Sequence, residues 1–322
     1  MLNFEGTLKV ANANSIGNRL HRIFIKNKVY ADNFLDNLIS DRYTWHYGGM
    51  SDPFQPINEK LKVTNDIIDI CNKYGVTILF STKSDTVHGA NVRPDLHSFQ
   101  LSVSNVYDRK DIEPNVPSID KRYRFYSELK KEGFKVGIRI QPFIPGVSDI
   151  EIVKMFDDAD HFTIEGLKVI PQDGEQKDFC FGYLNENPRL YTNLGLLNMI
   201  PEKRMELYEP LVEYLKEHDM SYSVSDNDLR RMGNNNCCCG DKLVRKATRF
   251  NTTSMIMNYN RWRADDVLHE CGKLRNCVAK NLFASNRQEG CVTVEDFIKI
   301  RFSRPSSPIS PKFQYIPELS LF

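Results

Sequence analysis

Apolar and polar positions alternate along residues 44–228 in the manner of repeated strand and helix segments. Short β-branched and aromatic runs at Thr44–Tyr47, Val76–Ser81, His97–Val103, Lys135–Gln141, His161–Val169 and Ser221–Ser225 predict strands. Between them, 59–74, 119–132, 149–156 and 202–218 carry apolar residues at helical spacing. In the second of these, Ile119, Tyr123, Tyr126 and Leu129 predict the buried stripe. Gly75 and Gly133 stand where helix C-caps belong. Strands alternating with helices give an α/β fold with a parallel sheet, and the even repeat suggests a partial TIM-like (βα) barrel with its ligand at the C-terminal ends of the strands.

Three segments are expected: a linker or helix over 1–43, the βα core over 44–228, and a Cys-rich, basic extension over 229–322. In the last segment the alternation fades. Residues 242–263 hold six basic residues and no acidic one, and 304–317 hold four prolines.

The strand ends carry the candidate chemistry. The first strand runs into WHYGGMSDPFQP, where Gly48 and Gly49 let another molecule approach the backbone and Ser51, Asp52 and Gln55 follow. Later ends supply Thr82, Lys83 and Ser84, then Ser102, Ser104 and Asn105, then Arg139 and Gln141, then Glu165 and Lys168. Each alone reads as a solvated strand end. Together they favour a binding site at the mouth of the sheet, for a ligand with an amine, a carboxylate and hydroxyls.

The order GGMSDPFQP, TKSD, FQLSVSN and IRIQPFIPGVSD resembles the radical S-adenosylmethionine superfamily, in particular members related to spore photoproduct lyase, over roughly residues 44–240. The resemblance implies a partial barrel that holds S-adenosylmethionine and a [4Fe–4S] cluster, where reductive cleavage yields a 5′-deoxyadenosyl radical acting on a substrate the sequence does not identify. It would make Gly48, Gly49 and Ser51 contacts of the methionine amino group, with Asp52 supporting their loop. Ser102 and Ser104 would lie near the carboxylate or ribose, and Arg139 near the carboxylate. The family's CxxxCxxC cluster loop is absent from this sequence, and no cysteine precedes residue 45. Truncation upstream of the first strand is the expectation preferred over a degenerate relative.

Eight cysteines include Cys237, Cys238, Cys239, Cys271, Cys277 and Cys291 within 55 residues. Cys239, Cys271, Cys277 and Cys291 are candidates for an auxiliary iron–sulfur cluster or zinc, a reading less favoured than Cys271, Cys277 and Cys291 being small buried hydrophobes. The alternative function is a non-catalytic metal-binding or regulatory barrel.

Charge adds little. With 43 basic and 42 acidic side chains the net charge is +1, which gives no general pull toward a polyanion. The run Lys242, Arg245, Lys246, Arg249, Arg261 and Arg263, with Phe250, Tyr259 and Trp262, makes a nucleic-acid repair module a further reading, less favoured than a solvated face. No apolar run approaches the roughly 20 residues that cross a bilayer, so a cytoplasmic protein with no membrane partner is expected.

Overall fold

The computed structural model describes residues 11–49, 51–193, 196–226, 228–235, 237–246, 264–278 and 292–303. Two compact units are formed: 1–26 with 42–247, and 27–41 with 248–322. Residues 229–246, assigned from the sequence to the extension, thus belong to the same unit as the sheet.

The first unit is built on a six-stranded parallel sheet of β1 (Trp45–Tyr47), β2 (Ile78–Thr82), β3 (His97–Ser102), β4 (Lys135–Phe143), β5 (His161–Gly166) and β9 (Tyr222–Val224). The strands lie in chain order, β1-β2-β3-β4-β5-β9. Right-handed crossovers that always step the same way leave their helices on one face. Those helices are α3 (Asn58–Leu61) and α4 (Val63–Tyr74), α5 (Ile119–Lys131), α6 (Glu151–Met155) and α8 (Pro201–Glu217).

The sequence expresses this one-sidedness residue by residue. Ile78, Phe80, Phe99, Leu101, Val136, Ile138, Ile140, Phe162, Ile164, Tyr222 and Val224 are buried and share one parity of the pleat. Phe80 and Phe99 pack with tilted rings 5.4 Å apart, and Phe99 meets Phe125 of α5 edge-on at 6.1 Å. At the far side Phe143 meets Tyr208 of α8 at 5.1 Å. Burying these chains drives the layer together at about 1.5–3 kcal/mol each.

Apart from Leu79 and Gly137, the opposite parity is polar: His46, Ser81, Ser98, Gln100, Ser102, Arg139, His161, Thr163, Glu165 and Ser223. Residues 237–246 cross that face as a strap. The Cys238 carbonyl accepts from Thr163 Oγ1 at 2.8 Å, and the Leu243 carbonyl accepts from Ser98 Oγ at 2.5 Å. At the far edge the Lys246 carbonyl accepts from Thr44 N–H at 2.9 Å.

Three readings of the sequence are corrected. The helix of 59–74 breaks at Lys62, which adopts φ 54° and ends α3 before α4 begins. The strand of 161–169 also divides. Gly166 N–H turns to Asp226 Oδ2 at 2.9 Å, and β6 (Lys168–Val169) joins an antiparallel sheet with β7 (Tyr191–Asn193) and β8 (Leu197–Met199). On α5 the buried stripe is Ile119, Arg122, Phe125, Tyr126 and Leu129, while Tyr123 is exposed even though its ring lies 5.6 Å from that of Phe156. Gly75 (φ 62°) and Gly133 (φ 87°) take the left-handed conformation that ends α4 and α5.

α1 (Ala13–Phe24) buries Leu20 and Ile23 and packs on α4, with Ile70 in van der Waals contact with the space beside Gly17. α7 (Gly174–Lys177) runs into a π-helical turn at Asp178–Tyr183.

The second unit contains α2 (Phe34–Ser40), α9 (Ala264–Cys271) and α10 (Val294–Ser303). Its core holds Leu268, Cys271, Leu274, Cys277, Val294 and Ile298. Asn37 Nδ2 donates to the Cys277 sulfur at 3.4 Å. No helix among the described residues is long and apolar enough to cross a membrane.

Candidate functional site

A hydrogen-bonded chain of side chains runs across the polar face. His46 Nε2 lies 2.7 Å from Ser81 Oγ, Ser81 Oγ donates to Gln100 Oε1 at 3.3 Å, and Gln100 Nε2 donates to Thr163 Oγ1 at 3.0 Å. Arg139 sits among them, with Nη1 donating to Gln100 Oε1 and Nη2 to Glu165 Oε2, each at 3.4 Å, and Nε to Gln141. Burial, then the positive charge of Arg139, lowers the His46 pKa, so the imidazole is held neutral.

Toward β9 the face becomes charged. Lys168 pairs with Glu165, and Asp226 is buried while accepting from Gly166 N–H at 2.9 Å, Tyr208 OH at 2.8 Å and Arg204 Nη1 at 3.0 Å. Arg204 also pairs with Asp228. Both oxygens of the Asp226 carboxylate thereby accept hydrogen bonds, one of them from a guanidinium, which is the condition for keeping a charge at 2% exposure.

The strap brings Cys237, Cys238 and Cys239 to the same face. Cys238 and Cys239 sulfurs are 3.8 Å apart. A hydrogen bond from Cys239 pulls the Cys238 thiol down to about 6, helped by Arg230 and Arg139 against burial and Glu165. Hydrogen bonding with Cys237, then with Cys238, and burial push the Cys239 thiol up.

The residues expected from the sequence are distributed as follows. Gly48 closes β1 at φ 119°, where an added Cβ would overlap the Ser81 carbonyl. Gly49 has open space around its Cα, and Ser51 is exposed. Asp52 ties this loop to the end of β2, accepting from Thr82 Oγ1 at 2.7 Å and Lys83 N–H at 2.6 Å. Ser102 lies beside Arg139 in register on the polar face. Ser104 is 1% exposed, and its hydroxyl has no hydrogen-bond partner in the protein. Because all six strands are parallel, these ends share one edge of the sheet.

Among the described residues the cysteine set does not assemble as a ligand group. Cys239 belongs to the first unit, Cys271 and Cys277 are core residues of the second, and Cys291 lies outside the described residues. Among the described residues no three His, Cys, Asp or Glu side chains are arranged to hold a metal ion. In the basic run, Arg245 donates to the Asp95 carbonyl and Lys246 lies 4.5 Å over the Tyr43 ring. Arg249, Arg261, Arg263, Phe250, Tyr259 and Trp262 lie outside the described residues.

His46, Ser81, Gln100, Thr163 and Ser223 stand within the strands, where a reading of strand ends does not reach. Their signal is the alternation within strands, HSFQLS in β3, HFTIEG in β5 and SYSVS at β9. A parallel strand packed by helices on both faces reads as a continuous apolar run, so polar residues at every second position mark a face without a helix layer.

No known family model matches the chain. An uncharacterized protein of Methanocaldococcus jannaschii is 31% identical over 133 residues, 38% of this chain and 51% of that protein, so the match spans about half the length of this relative. Among solved structures, a spore photoproduct lyase complexed with dinucleoside spore photoproduct is 13% identical over 66% of each chain, with a TM-score of 0.45. Streptococcus suis SuiB bound to S-adenosylmethionine is 9% identical over 69% of this chain and 45% of its own, with a TM-score of 0.44.

Proposed function

We propose that the first unit is a partial (βα) barrel of the radical S-adenosylmethionine type and that its polar face binds S-adenosylmethionine. The observation that carries this reading is the singly wound sheet with one polar face, at whose C-terminal edge the four ordered motifs meet. The residues suit the ligand. Gly49 leaves open backbone and Ser104 an unpaired buried hydroxyl, both on loops at that edge.

Gly48, Gly49 and Ser51 would receive the methionine amino group at main-chain carbonyls and a hydroxyl, with Asp52 fixing their loop. Ser102 and Ser104 would meet the carboxylate or ribose. Arg139 holds Gln100 and Glu165 only at 3.4 Å, so a ligand carboxylate can compete for its guanidinium fork.

A [4Fe–4S] cluster does not fit this donor set. Three thiolates around one cluster are needed, and neither the sequence motif nor a described ligand group supplies them. Binding of S-adenosylmethionine is the activity proposed for these residues.

Isothermal titration of the chain with S-adenosylmethionine tests the reading. Saturable one-to-one binding is expected, weakened at least tenfold by Arg139→Gln, equivalent to about 1.4 kcal/mol. Absence of saturable binding, or unchanged affinity in Arg139→Gln, would overturn it.

A further inference from the structure

We propose that Cys238 and Cys239 form a thiol–disulfide redox pair, with Cys238 as the thiol that reacts first with a hydroperoxide. This goes beyond ligand binding and does not depend on it.

The argument begins with how the strap is held. Cys237 N–H donates to Asn235 Oδ1 at 2.9 Å, and Gly240 N–H returns to the Cys237 carbonyl at 2.9 Å. The Cys238 carbonyl is fixed by both Thr163 Oγ1 at 2.8 Å and Ser223 Oγ at 3.3 Å. Gly240 takes φ 77°, and a Cβ there would strike the His161 imidazole, so the turn fits only without a side chain. Three neighbouring thiols are thus presented in one fixed turn, each half-buried.

Within that turn the Cys238 and Cys239 sulfurs touch at 3.8 Å. Arg230 and Arg139 supply positive charge beside Cys238. Arg230 Nε is itself buried without an acceptor in the protein, a donor suited to a thiolate or to the oxygen of an oxidised sulfur. Cys71, Cys180, Cys271 and Cys277 are buried, and burial raises the thiols of Cys71, Cys180 and Cys277, which is the condition of inert thiols.

The chemistry balances in two steps. The Cys238 thiolate attacks one peroxide oxygen, the sulfur–oxygen bond forms as the oxygen–oxygen bond breaks, and the departing alkoxide or hydroxide takes a proton. The Cys239 thiol then attacks the sulfenic sulfur, the disulfide forms, and water leaves with the remaining proton. Two thiols lose two electrons and the peroxide gains them.

Adjacent cysteines have Cα atoms about 3.8 Å apart, below the spacing of about 4.4–6.8 Å that most disulfides adopt. The bond should therefore be strained and easily reduced, as labile regulatory disulfides are.

The test treats the reduced full chain with one equivalent of hydrogen peroxide, blocks remaining thiols with iodoacetamide and digests with trypsin. Met232–Lys242 is a tryptic peptide that carries Cys237, Cys238 and Cys239 and no other cysteine. The expected product lacks two hydrogens and bears one carbamidomethyl group, placed on Cys237 by fragmentation, and mild dithiothreitol restores three labels. Cys239→Ser should lose the bond and leave Cys238 as a sulfenic acid trapped by dimedone. Three labels after peroxide, a bond that includes Cys237, or oxygen added to Cys238 in the unsubstituted chain without a disulfide would each overturn the proposal.

Discussion

The carboxylate of Asp52, in the loop after β1, accepts the main-chain N–H of Lys83 at the end of β2 at 2.6 Å. The same carboxylate takes Thr82 Oγ1 at 2.7 Å and the Phe54 N–H at 2.9 Å. One side chain therefore joins the first two strand ends of the candidate site, and the Gly48–Gly49 segment is held between them.

Asp52→Ala should cost about 1–3 kcal/mol, because three donors at the strand ends lose a charged acceptor at once. Urea unfolding measures this as a lower midpoint with an unchanged slope. Asp52→Asn keeps one acceptor oxygen and should fall between the two. An alanine variant as stable as the parent would show that water replaces the carboxylate without cost.

Gly48 and Gly49 separate conformational need from ligand space. At Gly48 the positive φ and the Ser81 carbonyl together exclude a side chain, so Gly48→Ala should destabilise by more than about 1 kcal/mol. At Gly49 no atom lies within 4 Å of an added Cβ, and φ is not in the left-handed range. Gly49→Val should leave the urea midpoint within about 0.5 kcal/mol of the parent and lower S-adenosylmethionine affinity at least tenfold. Equal stability loss in both variants would contradict this division.

The contrast between these glycines shows what the sequence conveys. The six strands of the parallel sheet, four helical segments and the glycine caps are legible because each follows from local periodicity and backbone chemistry, whereas the short β7 and β8 are not. The split at Gly166 was not, since it depends on Asp226, sixty residues away, drawing one N–H out of the strand. The strap was equally hidden. Its turn residues and charges read as a surface segment, whereas Thr163, Ser98 and Thr44 are what fix it to the sheet. Convergence of the strand ends followed from topology, but the relay from His46 to Thr163 required the pleat parity of five strands together.

The Arg204–Asp226 pair at the β9 end of the face is 3.0 Å long with both side chains under a tenth exposed. Asp226→Ala would leave a buried guanidinium and the Gly166 N–H short of an acceptor, at a cost of about 3–5 kcal/mol. The same change should disturb the β5–β6 junction that carries Glu165 and Lys168. Hydrogen exchange at Gly166 reads this directly, with loss of protection expected in Asp226→Ala and no change in Lys203→Ala, whose partner Glu206 is exposed.

Stability should fall as the solution is acidified between about pH 6.5 and about pH 4. His161 is fully buried between Ser221 and Ser223, and burial lowers its pKa to about 4. His97, at the start of β3, is also held at about 4 by burial. In the unfolded chain both imidazoles return to about 6.5, so over that interval the unfolded state binds more protons and each unit of acid favours it. Above about 6.5 both histidines are neutral in either state and contribute no slope, and below about 4 both are charged in either state. Replacing His161 with Gln, which keeps a donor and an acceptor, should remove about one proton from the uptake on unfolding and flatten the dependence. Urea midpoints of parent and variant at pH 7, 6, 5 and 4 measure the difference, from which carboxylate titrations common to both chains cancel. Parallel curves would mean that His161 is protonated within the fold, and that its two serine neighbours are acceptors from an imidazolium rather than partners of a neutral ring.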